Sequence, residues 1–166
     1  MSRLRKVAAA AAIALTAGAV LAACGDSSPA GPSGSASISA QLNGASWGIG
    51  GVYARATRNQ AGSINITAVD PGVTYSLAIT LSEVDGPGTY TLHDTFPLRF
   101  AVVTVGTAQG WGSTYGGGGG SVTITSLSET RITGSFNFTA GPAPSSSETE
   151  MLTVTNGQFD LPVVQL

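Results

Sequence analysis

Lysine is almost absent: Lys6 is the only one in 166 residues, and arginine supplies the other six of seven basic side chains. Charged residues make up 10% of the chain, against roughly 25% in an ordinary globular protein. Such a chain has no electrostatic footprint for DNA or RNA. There is one cysteine, Cys24, which excludes a disulfide framework and a multi-cysteine metal site. There is one histidine, His93, too few for a histidine-rich metal or acid–base centre. Charge-rich disorder is also excluded, because 42% of the residues are apolar.

Glycine, serine and threonine fill the space the charges leave, with 23 glycines alone. The first segment stands apart from the rest. Arg3, Arg5 and Lys6 precede an apolar run over residues 7–20, and Leu21-Ala22-Ala23-Cys24 follows. A basic start, a short apolar core and a small-residue exit make a secretory signal. The run would be about 21 Å long as a helix, short of the roughly 20 residues a membrane span requires. A signal is therefore the better reading, and a permanent anchor helix the weaker one.

Leu21-Ala22-Ala23-Cys24 resembles the lipobox of bacterial lipoproteins. That resemblance implies lipid on the Cys24 thiol, cleavage before Cys24 and a membrane as the partner through that anchor. Two or more acyl chains hold a protein stably, where one does not. Residues 25–37 carry no large apolar side chain and read as a flexible tether. Gly25, not an acid, follows Cys24, and Asp26 comes one position later. By analogy with lipoprotein sorting, this favours the outer membrane in a Gram-negative cell, and otherwise the outer face of the cytoplasmic membrane. The expected organisation is a signal over 1–23, a lipidated cysteine and tether over 24–37, and a domain over 38–166. Without the signal, four arginines face nine acids, a side-chain sum of −5.

The domain reads as all-β. Residues 63–69 and 73–81 alternate with period two around Asp70-Pro71-Gly72, the pattern of an antiparallel hairpin. Residues 38–42 and 51–57 read as strands around an Asn43-Gly44 turn and Trp47. Further strands are expected at 89–92, 98–105, 121–127, 131–138, 151–155 and 159–163, the last two joined by an Asn156-Gly157 turn. Gly134, between Ile132 and Phe136, either admits a neighbouring ring or marks a bulge. Eight to ten short antiparallel strands suggest a β-sandwich, with a closed or partly open barrel as the alternative.

Several pieces together resemble a family of bacterial lipoproteins catalogued only as a domain of unknown function. They are Asn43-Gly44-Ala45-Ser46-Trp47, Gly88-Thr89-Tyr90, the run from Arg131 through Gly134-Ser135-Phe136-Asn137-Phe138, and Asn156-Gly157-Gln158-Phe159. The resemblance covers residues 38–161. It implies an envelope location and one compact β-domain, and it brings no activity, cofactor or catalytic residue.

Candidate chemistry is sparse. His93 and Asp94 are adjacent, and neighbours on a strand point to opposite faces, so they do not form a dyad. No Gly-x-Ser-x-Gly elbow is present. Glu83, Asp85 and Asp94 lie around a glycine turn and are candidate calcium ligands, with a solvated turn as the plainer reading. Trp111 and Tyr115 precede five consecutive glycines, at residues 116–120. They are candidates for an aromatic platform that takes carbohydrate or peptide, or for a cap on the core with the glycines as a slack loop. Asn65-Ile66-Thr67 and Asn137-Phe138-Thr139 match a glycosylation pattern but fall within expected strands, and read as cross-strand polar positions. The reading is a non-enzymatic envelope protein with a structural or weak binding role and an unidentified glycan or protein partner. A carbohydrate- or peptide-binding module and a calcium-dependent or hydrolytic enzyme are the alternatives.

Overall fold

The computed structural model describes residues 35–72, 75–95, 97–106 and 109–166. The expected signal, Cys24 and most of the tether lie outside them. Eleven strands are present: β1 (Ser37–Leu42), β2 (Ala45–Gly50), β3 (Ala54–Arg58), β4 (Ile64–Val69), β5 (Ser76–Leu81), β6 (Gly88–Leu92), β7 (Arg99–Val105), β8 (Gln109–Gly112), β9 (Gly119–Leu127), β10 (Arg131–Pro142) and β11 (Leu152–Gln165). Among the described residues a single 3-10 turn, Gly51–Tyr53, joins β2 to β3. No helix among the described residues is long and apolar enough to cross a membrane.

The expected all-β, sandwich-like architecture is observed. One layer runs β2-β1-β11-β10-β9-β6, and the other runs β11-β3-β4-β5-β7-β8-β10. Both contain β10 and β11, the two longest strands at 12 and 14 residues. Each long strand begins in the first layer and ends in the second, which is how strands turn the corner between packed sheets. β10 leaves its β11 and β9 partners near Ala140 and pairs Gly141 and Pro142 with Gly112 and Trp111. β11 leaves β10 at Pro162, which has no N–H to give a ladder. Its Val163, Val164 and Gln165 then run parallel to β3, and this is the one parallel pairing among the described residues.

Alternation places the core. Ile64, Ile66 and Ala68 of β4 and Leu77, Ile79 and Leu81 of β5 are buried together, in the register the sequence pattern predicts. Ile38, Val122, Ile124, Ile132, Phe136, Phe159 and Leu161 meet them from the first layer. Burying each such side chain contributes about 1.5–3 kcal/mol relative to exposure. The outward positions of the first layer are short polar side chains. One row crosses all six strands as Gly48, Ser39, Gln158, Ser135, Thr123 and Thr89.

The Asn43-Gly44 turn joins β1 to β2 with both residues at positive φ, 48° and 83°, as a type I′ hairpin requires. Asn156-Gly157 differs from expectation. It is not a turn: β11 runs straight through it. Against β10 the register steps from Phe136↔Gly157 to Phe138↔Val154, and against β1 from Ser39↔Gln158 to Gln41↔Thr155. Both steps spend one extra residue on β11, so this is a β-bulge. Asn156 sits there at φ 53°. Its backbone N–H donates to Asn137 Oδ1 at 2.9 Å, and its side-chain amide donates to Gln41 Oε1 at 3.0 Å. A left-handed Asn satisfies a bulge as readily as a turn, and this explains the difference.

Next to the bulge, two Gly-x-Phe tripeptides lie antiparallel. Gly134 faces Phe159, and Gly157 faces Phe136. A Cβ at Gly134 would stand 2.5 Å from Phe159 Cζ, and one at Gly157 would stand 2.5 Å from Phe136 Cδ2. Each ring therefore covers the bare backbone of the opposite glycine. Phe136 also stacks against Phe138 and Phe159, with centroids 6.1 and 6.4 Å apart. Gly134 adjoins a bulge as well, because the β9–β10 register slips between Thr133 and Gly134.

Candidate functional site

β8 reads Gln-Gly-Trp-Gly and has little strand signal of its own. It is held as a strand by β7 on one side and the end of β10 on the other. Trp111 pairs with Val103 and points into the core, 7% exposed. Its indole N–H donates to the Glu150 carbonyl at 3.0 Å. The segment between β10 and β11 is tied to β8 further along: Ala143 N–H donates to Gly110 O, and Gly110 N–H donates to Ser146 Oγ.

These ties frame a groove of about 450 Å³ at one end of the sandwich. Tyr75, Gln109 and Trp111 line it from the second layer, and Glu148, Glu150 and Met151 from the β10–β11 segment. Asn43 reaches it from the β1–β2 turn. That turn is pinned, because Asn43 N–H donates to Thr153 O while Asn43 Oδ1 accepts from Thr153 N–H, both at 2.8 Å. The walls are aromatic and aliphatic, and the rim is amide and carboxylate.

Tyr115 is not in this groove. Its ring covers Gly112: a Cβ there would stand 2.7 Å from Tyr115 Cδ2. Gly112 follows Trp111 on the strand and faces the other way, so the sheet separates the two aromatics. Tyr115 is 41% exposed on the outer face. Two of the five glycines after it, Gly118 and Gly120, are closely packed, while Gly117 and Gly119 have open space. A Cβ on Gly118 would meet the Ser113 and Thr139 carbonyls at 2.8 Å, and one on Gly120 would stand 2.5 Å from Phe138 Cα. Ser113, 1% exposed, accepts from Ala101 N–H through Oγ at 2.9 Å, extending the β7–β8 ladder with a side chain.

Among the described residues no three of His, Cys, Asp and Glu stand together as a set that could hold a metal. Glu83, Asp85 and Asp94 are thus not brought together as one. Glu83 occupies a positive-φ turn at 54°, and its carbonyl accepts from Arg99. His93 Nδ1 lies 2.7 Å from the Thr95 carbonyl, and the His93 backbone forms a bridge with Arg99. Asn65 Oδ1 accepts from Thr80 Oγ1 across the strands, and Asn137 serves the bulge, as cross-strand polar positions do.

Three of the four arginines in the described residues have work at the opposite end of the sandwich. Arg58 donates to the Val84 carbonyl, and Arg99 donates to the Ser82 carbonyl while its guanidinium lies 5.0 Å from the Tyr90 ring centroid. Arg131 pairs with Asp160 at 2.6 Å. That hydrogen bond holds the Arg131 guanidinium above its ordinary pKa, so it stays charged throughout the physiological range. The Trp47 indole nitrogen is buried without a partner among the described residues.

Sequence reasoning picked out Trp111, from its place beside the glycines, but not Tyr75, Gln109, Glu148 or Glu150. No spacing in the chain links these four; only the corner of β10 assembles them. No curated protein and no solved structure matches the chain. Residues 34–161 match one family model, described as "Domain of unknown function (DUF6252)".

Proposed function

The chain belongs to the DUF6252 family, and on that premise we propose that it is a lipid-anchored protein of the bacterial cell envelope. Its β-domain takes a structural or weak binding role, not an enzymatic one. The observation that carries this reading is Leu21-Ala22-Ala23-Cys24, placed after a basic start and an apolar run and before a stretch poor in large side chains. The proposed organisation is a signal over 1–23, a lipidated Cys24 with its tether to residue 37, and the β-domain from 38 onward. Gly25 after Cys24 favours the outer membrane in a Gram-negative host, and the outer face of the cytoplasmic membrane is the alternative elsewhere. The groove at Trp111 supports a binding role over a purely structural one, since ligand sites are concave, largely apolar and edged by a few polar groups.

The test of the anchor is metabolic labelling with a palmitate analogue in a bacterial host. Label is expected on the wild-type chain and is lost in Cys24→Ala. Equal labelling of the two would refute lipidation at this residue.

A further inference from the structure

The groove at the end of the sandwich has an unbalanced lining. Glu148 and Glu150 contribute carboxylates, which only accept hydrogen bonds. Among the described residues neither carboxylate has a hydrogen-bond or ion-pair partner, and the one ion pair is Arg131–Asp160 at the far end. Among the described residues no arginine lines the groove, and no lysine occurs after Lys6. The Trp111 N–H is already committed to the Glu150 carbonyl, and Asn43 Oδ1 to Thr153. The groove thus places negative charge, beside the Asn43 and Gln109 amides and the Tyr75 hydroxyl that can donate as well as accept, above an apolar slot formed by Trp111, Tyr75 and Met151. What completes it is a donor-rich cation on a short apolar stem. Aromatic walls reinforce that choice, because their faces attract ammonium groups.

We propose that this groove binds a protonated primary amine carried on a short aliphatic chain. The stem lies against Trp111, Tyr75 and Met151, and the ammonium sits between the Glu148 and Glu150 carboxylates. Such a group is found on a free diamine and on a lysine side chain of a peptide. The site does not depend on lipidation at Cys24, so the labelling experiment and this one succeed or fail separately.

The test titrates the full chain, purified in detergent, with 1,5-diaminopentane and with acetyl-Gly-Lys-Gly-amide. 1,5-Pentanediol, calcium chloride and a neutral trisaccharide of N-acetylglucosamine serve as comparison probes. Saturable binding with Kd on the order of 1 mM is expected for at least one amine, in keeping with so few ligand atoms. The amide signals that shift should be those of Gln109, Trp111, Glu150 and Met151. Preference for the free diamine marks a small-molecule site, and preference for the peptide marks a lysine-recognition site. Either preference supports the proposal. The double variant Glu148→Gln, Glu150→Gln should bind at least tenfold more weakly while keeping the wild-type amide spectrum elsewhere. The proposal is overturned if neither amine saturates, if the diol, the calcium salt or the trisaccharide binds as tightly, or if the double variant binds unchanged.

Discussion

Like Gly120 and Gly141, Gly134 and Gly157 are among the positions where one added methyl group meets the tightest contacts. Each lies under a phenylalanine ring of the facing strand, and each also has a backbone oxygen close by: the Thr123 carbonyl at Gly134 and the Phe136 carbonyl at Gly157. Ring movement alone therefore cannot make room. Gly134→Ala and Gly157→Ala are each expected to destabilise the domain by about 1–3 kcal/mol, the usual cost of overpacking a core. A lowered urea midpoint at constant m-value is the check. Gly117→Ala provides a comparison, since nothing lies within 4 Å of its Cβ position and only its φ of 82° is strained. Its loss should come from backbone strain alone and leave the aromatic stack undisturbed. The reciprocal pair also accounts for the two Gly-x-Phe motifs picked out in the sequence: each supplies the ring that the other lacks.

β4, β5, β1 and the Asn43-Gly44 turn after it were legible because alternation and turn chemistry agree over several residues, whereas the strand expected over 51–57 starts only at Ala54. β8 and β2 were not. Gln109-Gly110-Trp111-Gly112 has two glycines in four residues, and β2 contains Gly48 and Gly50. Glycine weakens a strand on its own, so these elements exist because neighbours hold them, and that cannot be read locally. The bulge at Asn156 shows a different limit: positive φ can be foreseen, but whether the chain then reverses or continues depends on partners far away in sequence. The Trp111 side of the groove was legible only as an aromatic beside glycines. Its contact with Glu150 spans 39 positions. That contact can be tested on the β10–β11 segment. Trp111→Phe keeps most of the ring volume and removes the N–H donor, at a cost of about 1 kcal/mol. Faster proteolytic cleavage around residues 144–149 is expected, with the cleavage pattern elsewhere unchanged. Unaltered cleavage would mean that the backbone bonds of Gly110 and Ala143 hold the segment by themselves.

Over the whole molecule charge is scarce, at 10% of the residues. Three arginines are held at one end, and two unpaired glutamates mark the groove at the other. The absence of lysine gives the lipid-anchor proposal a second, chemical check. A chain cut before Cys24 has one free amine, the α-amine of Cys24, and none if that amine is acylated. An amine-reactive ester should therefore add one label or none to the intact mature protein, as read by mass spectrometry. Two or more labels would show that the basic leader, with Lys6, is still attached. The arrangement of β11 has a consequence for the order of events. It is the latest strand in the chain, yet it pairs with β1, β3 and β10 and carries the bulge and half of the glycine–phenylalanine exchange. A nascent chain that lacks residues 152–165 has no partner joining β1 to β10, so the first layer cannot assemble across its middle, and the second lacks the strand that ties β3 to the first. Such a chain stays open until synthesis is nearly over. Under the export proposed above, this delay is useful, because a translocation channel admits an unfolded thread and rejects a finished domain.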